Sequence, residues 1–270
     1  MSSSPQSDGE ILPPADPEAV YSADNVAPPR RRTRSILSAP GTYVLVGVNC
    51  AVYIWMVLHG VDPATPTPVQ LIHFGANVPA LVLHGEWYRL LTATFVHVGL
   101  IHLLTNMWCL WNLGLLGEPL LGPWGMAAVY MLTGIAGNLL SLGVNVVMHD
   151  FVSVGAGASG AVFGIAGILI VLLSNHKLPI PAFELQRLRK SVIQFAGLNL
   201  VIGLATIALP IIRIDNSAHV GGFLFGLALG VPLIPRMTSG RVRYLNRQKL
   251  TFAGAAFFLA LFGYWIANLH

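Results

Sequence analysis

The sequence predicts an all-α fold, a polytopic bundle of membrane-spanning helices, and three observations carry this prediction. Hydrophobic residues make up 54% of the 270-residue chain, and charged residues only 10%. The mean hydropathy is +0.68, a value that ordinary water-soluble domains do not show. Apolar runs of about 20 residues, the length that a helix needs to cross a bilayer, recur along the chain.

Seven apolar runs follow one another, with polar segments between them. The third and the sixth run are rich in glycine, which membrane helices use for close packing. Both cysteines, Cys50 and Cys109, fall inside predicted spans, so we expect neither a disulfide framework nor a zinc cluster. The predicted spans are about 43–59, 99–117, 124–147, 157–174, 191–211, 217–235 and 250–268.

The first 40 residues differ from the rest and predict a disordered tail. They are rich in Ser, Pro, Asp and Glu, and no apolar segment of the signal-peptide type lies near Met1. The acidic residues between Asp8 and Asp24 argue against a mitochondrial transit peptide, which is normally poor in acids. The tail ends next to the first span in a basic cluster that we interpret as a topology signal: Arg30, Arg31, Arg32 and Arg34.

The distribution of basic residues predicts the orientation in the membrane. All 15 Lys and Arg residues except Arg89 and Arg213 lie in the tail, in the segment around 177–190 or in the segment 236–249. With seven spans these three segments share one side, which the positive-inside rule makes cytoplasmic. We therefore expect a multi-pass protein of the cell membrane with its N-terminus inside and its C-terminus outside. The segments expected on the outer side are 60–90, 148–156 and 212–216.

Polar side chains from three predicted spans fall at a similar depth in the outer half of the bilayer. Ser159 lies at the outer end of the fourth span, within the stretch GAGASGAVFG, and His219 lies at the outer end of the sixth. The second span places His102 and Asn106 four residues apart on one helix face, whereas His97 either points elsewhere or lies at the helix entry. Any one of these residues alone is commonly a packing or hydrogen-bonding residue, but packing does not explain the whole set.

These residue types suit acyl transfer to a serine. An imidazole such as that of His219 can take the proton of the Ser159 hydroxyl and return it to the leaving amine. The side chains of His102 and Asn106, and the backbone N–H of Ser159, can donate hydrogen bonds to the oxyanion of the tetrahedral intermediate. The glycines beside Ser159 leave room for a scissile backbone to approach.

The acidic residues limit the mechanism. All 11 lie outside the predicted apolar spans, so the two buried aspartates of an aspartyl intramembrane protease are missing. The zinc-protease motif H-E-x-x-H is also missing. Asp215 is the acid nearest to His219 in the sequence, but it lies one helical turn further out. We therefore expect a Ser–His dyad whose imidazole is held by packing, with no metal and no cofactor.

At these residues the chain resembles the rhomboid intramembrane serine proteases, over about 70–235. The spacing of His97, His102 and Asn106 matches the family's H-x-x-x-x-H-x-x-x-N pattern. The stretch GASG at 157–160 is similar to its nucleophile motif, and AHVGGFLFG is similar to its A-H-x-x-G-x-x-x-G motif, in which the glycines allow close helix packing. The resemblance implies that Ser159 is the nucleophile and His219 the base, with supporting roles for the remaining matched positions: His97, His102, Asn106 and Gly157.

Two details differ from the best-known family pattern. Phe163, one turn after the serine, stands where a tyrosine is common, so it can stack on a histidine ring but cannot donate a hydroxyl hydrogen bond. The Trp-Arg element of the first loop is present as Trp87-Tyr88-Arg89, with one residue inserted.

The resemblance also implies the domain organisation and the partners. We expect a disordered cytoplasmic tail over 1–40, a six-helix rhomboid-like protease core over 41–236, and a basic loop with a seventh transmembrane helix over 237–270. The implied partners are transmembrane protein substrates, cleaved near the exterior face, and membrane lipid, with no nucleic acid; the oligomeric state stays open. Two alternatives remain at this point, a rhomboid-like pseudoprotease that binds client helices and a histidine-lined channel or transporter.

Overall fold

The computed structural model describes residues 39–175, 178, 180–205, 215–234 and 240–269, and every regular element in these ranges is a helix. This confirms the all-α fold class. The predicted tail over 1–40 lies outside the described residues, apart from Ala39 and Pro40. The helices are α1 (Pro40–Leu58), α2 (Pro68–His73), α3 (Pro79–Leu83), α4 (Arg89–Thr92), α5 (Leu100–Val147), α6 (Ser159–Leu172), α7 (Ala182–Ala205), α8 (Asn216–Leu233) and α9 (Arg241–Ala267).

Four of the described helices, α1, α5, α8 and α9, are long and apolar enough to cross a membrane. The 48-residue α5 contains two predicted spans, the second and the third. Its backbone breaks between them at Gly122 (φ 75°, ψ 166°), which lies between Pro119 and Pro123. The predicted fourth span is the shorter apolar helix α6, of 14 residues. The end of the predicted fifth span, 206–211, lies outside the described residues. The chain is an integral multi-pass membrane protein, and its seven crossings stay a prediction.

Helix α6 lies between α5 and α8, and its residues from Gly160 to Leu169 are all buried. A helix that is apolar on all sides is expected in such a position. A Cβ atom added at Gly222 or Gly226 of α8 would collide with the carbonyl oxygens of Gly160 and Gly164 of α6. The backbones of α6 and α8 are therefore in direct contact, as the sequence predicts, and the start of one helix is fixed relative to the start of the other.

Helices α7 and α9 begin earlier than their predicted spans. Helix α9 starts at Arg241 and α7 at Ala182, both inside segments predicted as basic loops. Hydropathy marks where apolar residues begin, whereas a helix can continue beyond the apolar layer with exposed charged side chains. The first turns of α9 donate to carbonyls at the α5 break and at the end of α8: Tyr244 to Leu120 (3.1 Å), Gln248 to Leu121 (2.9 Å) and Arg247 to Ile234 (2.8 Å).

One acid contradicts the prediction that all acidic residues lie outside the apolar spans. Glu118 lies inside α5 and is 2% exposed. Its carboxylate accepts hydrogen bonds from the N–H groups of Gly41 (2.8 Å) and Thr42 (2.6 Å), and from the Thr42 hydroxyl (2.7 Å). Gly41 and Thr42 belong to the first turn of α1. The N–H groups of a first turn have no acceptor within the helix, and the helix dipole favours a negative charge there. The prediction failed because the sequence does not reveal that α5 continues beyond residue 117.

The segment between α1 and α5 folds into the short helices α2, α3 and α4, and a buried arginine holds it together. Arg89 donates through Nη1 to the carbonyls of Ile72 (2.8 Å) and Ala76 (3.0 Å), and through Nε to the Glu86 carboxylate (2.7 Å). Trp87 packs against an apolar cluster that includes residues of α5 and α9. This compact first loop supports the backbone that leads into the candidate site.

Candidate active site

Ser159 is the first residue of α6, at the end of the loop that returns from α5. Two residues earlier, Gly157 has φ +136°, a conformation that residues with side chains rarely adopt, and its N–H donates to the carbonyl of Ala93 (2.9 Å). Asn77 of the first loop and Gly155 exchange two backbone hydrogen bonds of 2.8 Å. The loop is thus fixed on both sides, and it presents a half-buried Ser159 at the end of the bundle.

His219 lies in the first turn of α8 and is 6% exposed. Its ring stacks on Phe163, with 4.4 Å between the ring centroids and 13° between the planes. Phe163 follows Ser159 by four residues and so lies on the same face of α6. The stack predicted at Phe163 is therefore present, and it places the imidazole beside the helix face that carries the serine hydroxyl.

The two candidate catalytic side chains lie in the first turns of helices whose backbones touch. Among the described residues, no hydrogen bond joins Ser159 to His219, and the buried Nδ1 of His219 has no hydrogen-bond partner there. Hydrogen bonds between catalytic groups are often long in ligand-free enzymes and shorten when the substrate binds. Within the described part of the chain, no carboxylate forms a hydrogen bond with the imidazole.

His102 packs against the other side of the loop that leads to Ser159. A Cβ atom at Gly157 would lie 2.6 Å from Cε1 and 3.1 Å from Nε2 of His102, so this edge of the ring faces the loop backbone. The Nδ1 atom accepts a hydrogen bond from the Val98 N–H (3.3 Å). A neutral His102 therefore carries its proton on Nε2, which makes Nε2 a hydrogen-bond donor on the side of the nucleophile loop.

Asn106 and His97 complete the polar set on this side. Asn106 shares a face of α5 with His102, as predicted, and its Nδ2 donates to the His102 carbonyl (2.8 Å), which leaves a second N–H for another acceptor. His97 precedes α5 and is fully buried, with Nδ1 3.1 Å from the carbonyl of Phe95. Its ring centroid lies 5.5 Å from that of His102. The structure thus brings all three residues together, with His102 nearest to the nucleophile loop.

Two residues that the sequence analysis did not select lie next to the site. Asp215 is the N-cap residue of α8, and one of its carboxylate oxygens accepts from the Ala218 N–H (3.0 Å). The other oxygen accepts from the hydroxyl of Ser141 in α5. An aspartate just before a helix is a preferred N-cap, so the first contact had a signal in the sequence. Ser141 had none, because it is 74 residues away in the chain.

The fold and the site together define a class of protein. A serine at the start of one buried helix and an imidazole at the start of another lie on helices whose backbones touch, inside a bundle of apolar helices. On a third helix, a second histidine lies against the loop that leads to the serine, and a carboxamide bonds to the carbonyl of that histidine. This is the layout of a serine hydrolase whose active site is built inside a membrane.

Comparison with known proteins gives the family. Residues 84–236 match the Rhomboid domain, and the chain belongs to the rhomboid family. It is 34% identical over 196 residues to "Rhomboid protease GluP" of Bacillus subtilis, in a match that covers 71% of this chain but only 35% of that protein. It is 30% identical over 209 residues to "Rhomboid protease AarA" of Providencia stuartii, with 72% of each protein covered. It is 29% identical over 226 residues to "Rhomboid-like protease 2" of Toxoplasma gondii, with 83% of this chain and 76% of that protein covered.

Proposed function

We propose that this chain cleaves transmembrane segments of membrane proteins near the exterior face, with Ser159 as nucleophile and His219 as general base. Its enzyme class follows from the family and from relatives that are named rhomboid proteases: it is an intramembrane serine protease. The dyad, the substrate and the position of the cut are the parts proposed here. The observation that supports the dyad best is the stack of His219 on Phe163, one turn from Ser159 on the same helix face.

The proposed reaction uses the side chains in a fixed order. The His219 imidazole removes the proton from Ser159 as the hydroxyl oxygen attacks the scissile carbonyl carbon. The imidazolium then gives the proton to the leaving amine, and an acyl-enzyme remains on Ser159. A water molecule, activated by the neutral imidazole, attacks the ester and releases the second product. The buried Nδ1 of His219 has no partner among the described residues, so the ring is oriented by packing in this scheme.

The developing oxyanion has three candidate donors. The backbone N–H of Ser159 lies at the free N-terminal end of α6, where helical N–H groups have no acceptor. His102 presents Nε2 towards the nucleophile loop, and Asn106 has one unused N–H. In this proposal these donors would bind the oxygen of a carbonyl that is attacked by Ser159.

The proposed cut lies near one membrane face, because the site lies at the ends of its helices. Ser159 and His219 are in the first turns of α6 and α8, and His102 is in the first turn of α5, within about 10 Å of the helix ends. A substrate helix must unwind before its carbonyls can be attacked, and helix-weakening residues such as glycine make this easier. We therefore expect cuts after a small residue near the exterior end of single-span proteins, with such residues just inward. Mass spectrometry of the products locates the cut, and consistent cleavage at the cytoplasmic end would contradict this part of the proposal.

The dyad is tested by kinetics in detergent with a single-span substrate. Ser159→Ala and His219→Ala should each abolish cleavage, and the double variant should be no worse than either single one, because residues that act as a unit are not additive. Asn106→Ala should lose less, about 2.7–4 kcal/mol of transition-state stabilisation, as expected for one of several oxyanion donors. Ser174→Ala, a matched change at an exposed serine at the far end of α6, should cleave like the unchanged protein.

Labelling with a fluorophosphonate separates the proposed enzyme from the alternatives. The unchanged protein should be labelled at Ser159, and Ser159→Ala should not be labelled. A pseudoprotease or a channel would give no label at this serine in folded protein. A folded His219→Ala variant with near-normal turnover would show that another group is the base.

A further inference from the structure

We infer that Asp215, through Ser141, is a positioning residue that holds the start of α8, and thereby His219, in register with the loop that carries Ser159. The inference rests on the proposed function, because it concerns how the proposed base is placed. It starts from two hydrogen bonds of one carboxylate and from the position of that carboxylate near the nucleophile loop.

The Asp215 carboxylate connects two helices directly. One oxygen accepts from the Ala218 N–H at 3.0 Å and closes the first turn of α8. The other accepts from the hydroxyl of Ser141, which is 2% exposed in the second half of α5. The His219 N–H donates in turn to the backbone carbonyl of Asp215 (3.3 Å). The first turn of α8 is therefore tied to α5 through Asp215, and His219 is part of that turn.

The same carboxylate lies close to the loop that leads to Ser159. A Cβ atom at Gly155 would lie 3.5 Å from the Asp215 carboxylate oxygen that accepts from Ser141, which is ordinary van der Waals contact. Gly155 is four residues before the serine, and its backbone is paired with Asn77 of the first loop. Asp215 thus lies close to the segment that delivers the nucleophile and is bonded to the helix that delivers the base.

The Asp215 contact adds a directional restraint to a helix start whose packing includes close glycine contacts. The start of α8 packs on α6 and α5 through glycines: Gly221 lies against Ala136 and Leu140, and Gly222 against the Gly160 carbonyl. Glycine contacts permit close approach but provide little interlocking against sliding or rotation of the helix. The hydrogen bonds that a carboxylate accepts at a helix N-terminus are stronger than such packing contacts, and they are directional.

Asp215 does not act as the acid of a catalytic triad in this arrangement. Its two oxygens are occupied by Ala218 and Ser141, and the Nδ1 atom of His219 has no partner among the described residues. The effect on the imidazole is therefore exerted through the backbone of the first turn. This distinction determines which variants test the inference.

Three variants separate the hydrogen bond to Ser141 from the helix cap. Ser141→Ala removes the donor on α5. Asp215→Ser keeps an N-cap of equal preference but is too short to reach Ser141. Asp215→Asn removes the charge but keeps both contacts, because its oxygen can accept from Ala218 and its amide can donate to the serine oxygen. Ser174→Ala is the matched control, since among the described residues its hydroxyl bonds within the far end of α6 and to the half-buried Arg189.

The kinetic readout is kcat and KM per folded molecule, with folded protein measured by gel filtration in detergent. Ser141→Ala and Asp215→Ser should each lower kcat about tenfold at unchanged KM, as expected when a hydrogen bond to a charged group is lost. The double variant should be no worse than the lower single variant, because both remove the same contact. Asp215→Asn should recover most of kcat, and the control should match the unchanged protein. Unchanged kcat in both single variants, or an Asp215→Asn variant as poor as Asp215→Ser, would overturn the inference.

Hydrogen–deuterium exchange gives a readout that does not depend on activity. Backbone amides over 216–222 should exchange faster in Ser141→Ala than in the unchanged protein, whereas the amides of α1 should not change. If the unchanged protein neither cleaves nor is labelled at Ser159, the proposed function fails, and the exchange data still decide whether this contact holds α8. Equal exchange over 216–222 in the two proteins would refute the contact's role even in an active enzyme.

Discussion

At the scale of single residues, Gly157 shows how the absence of a side chain builds the site. It has a positive φ angle, its N–H bonds the Ala93 carbonyl, and its α-carbon faces the edge of the His102 ring. The histidine can approach the nucleophile loop only because this position has no Cβ atom. Conformation and space therefore both require glycine two residues before Ser159.

We predict that Gly157→Ala reduces cleavage by at least about tenfold, because a shift of the order of an ångström between reacting groups is costly. The new methyl group would lie 2.6 Å from His102 Cε1, and the φ of +136° would be strained. Turnover per folded molecule is the measurement. Gly47→Ala is the matched control, since a Cβ atom there meets nothing within 4 Å and should leave turnover unchanged. Equal activity of the two variants would show that His102 does not depend on this loop.

The residues of the candidate site differ in how well the sequence alone predicts them. Ser159 and His219 are predictable because polar groups at equal depth in apolar helices are rare and their spacing fits the family motif. Asp215 was noticed, but as the nearest acid rather than as a helix cap. Ser141 was not predictable at all, because its only signal is a contact between chain segments far apart in the sequence.

At the scale of helices, α9 is part of the bundle rather than an appendage. The break at Gly122 interrupts helical hydrogen bonding in α5, and α9 supplies donors to the carbonyls of Leu120 and Leu121. These donors are Tyr244 and Gln248, four residues apart on one face of α9. An unsatisfied carbonyl inside a membrane protein is costly, so this contact explains why the seventh predicted helix docks where it does.

We predict that Gln248→Leu lowers the free energy of unfolding by about 1–3 kcal/mol, because it leaves the buried Leu121 carbonyl without a donor. Thermal unfolding in detergent, followed by tryptophan fluorescence, measures this. Asn246→Leu on the exposed face of α9 serves as the control and should unfold at the temperature of the unchanged protein. Equal unfolding temperatures for the two variants would mean that the α5 break does not need α9.

The helix boundaries show where hydropathy stops being informative. Helices α1 and α8 are close to the predicted positions of their spans. The starts of α7 and α9 are wrong by more than a turn, because charged residues end an apolar run without ending a helix. The continuation of α5 through Glu118 was missed for a related reason, since a charged residue is expected outside a span. Here the start of α1 binds the Glu118 carboxylate, which the sequence does not reveal.

At the scale of the whole molecule, two arginines, Arg189 and Arg247, bind the ends of α6 and α8 that lie opposite Ser159 and His219. Helix α6 begins at Ser159, and the serine after its other end, Ser174, accepts a hydrogen bond from Arg189 in the first half of α7. Helix α8 begins close to His219, and the carbonyl at its other end accepts from Arg247 of α9. Since basic residues stay in the cytoplasm, this arrangement supports a site that opens to the exterior.

We predict that labelling of single cysteines in intact cells gives this orientation. In a chain whose Cys50 and Cys109 are replaced by alanine, Asn268→Cys at the end of α9 and Ala64→Cys before α2 should react with a membrane-impermeant maleimide. Both positions are exposed and lie at the end of the bundle that carries Ser159. Arg243→Cys, at the basic start of α9, should react only after the membrane is permeabilised. Labelling of this variant before and after permeabilisation is the internal control. Reaction of all three positions in intact cells would mean that α9 does not span, and the reverse pattern would place the active site at the cytoplasmic face.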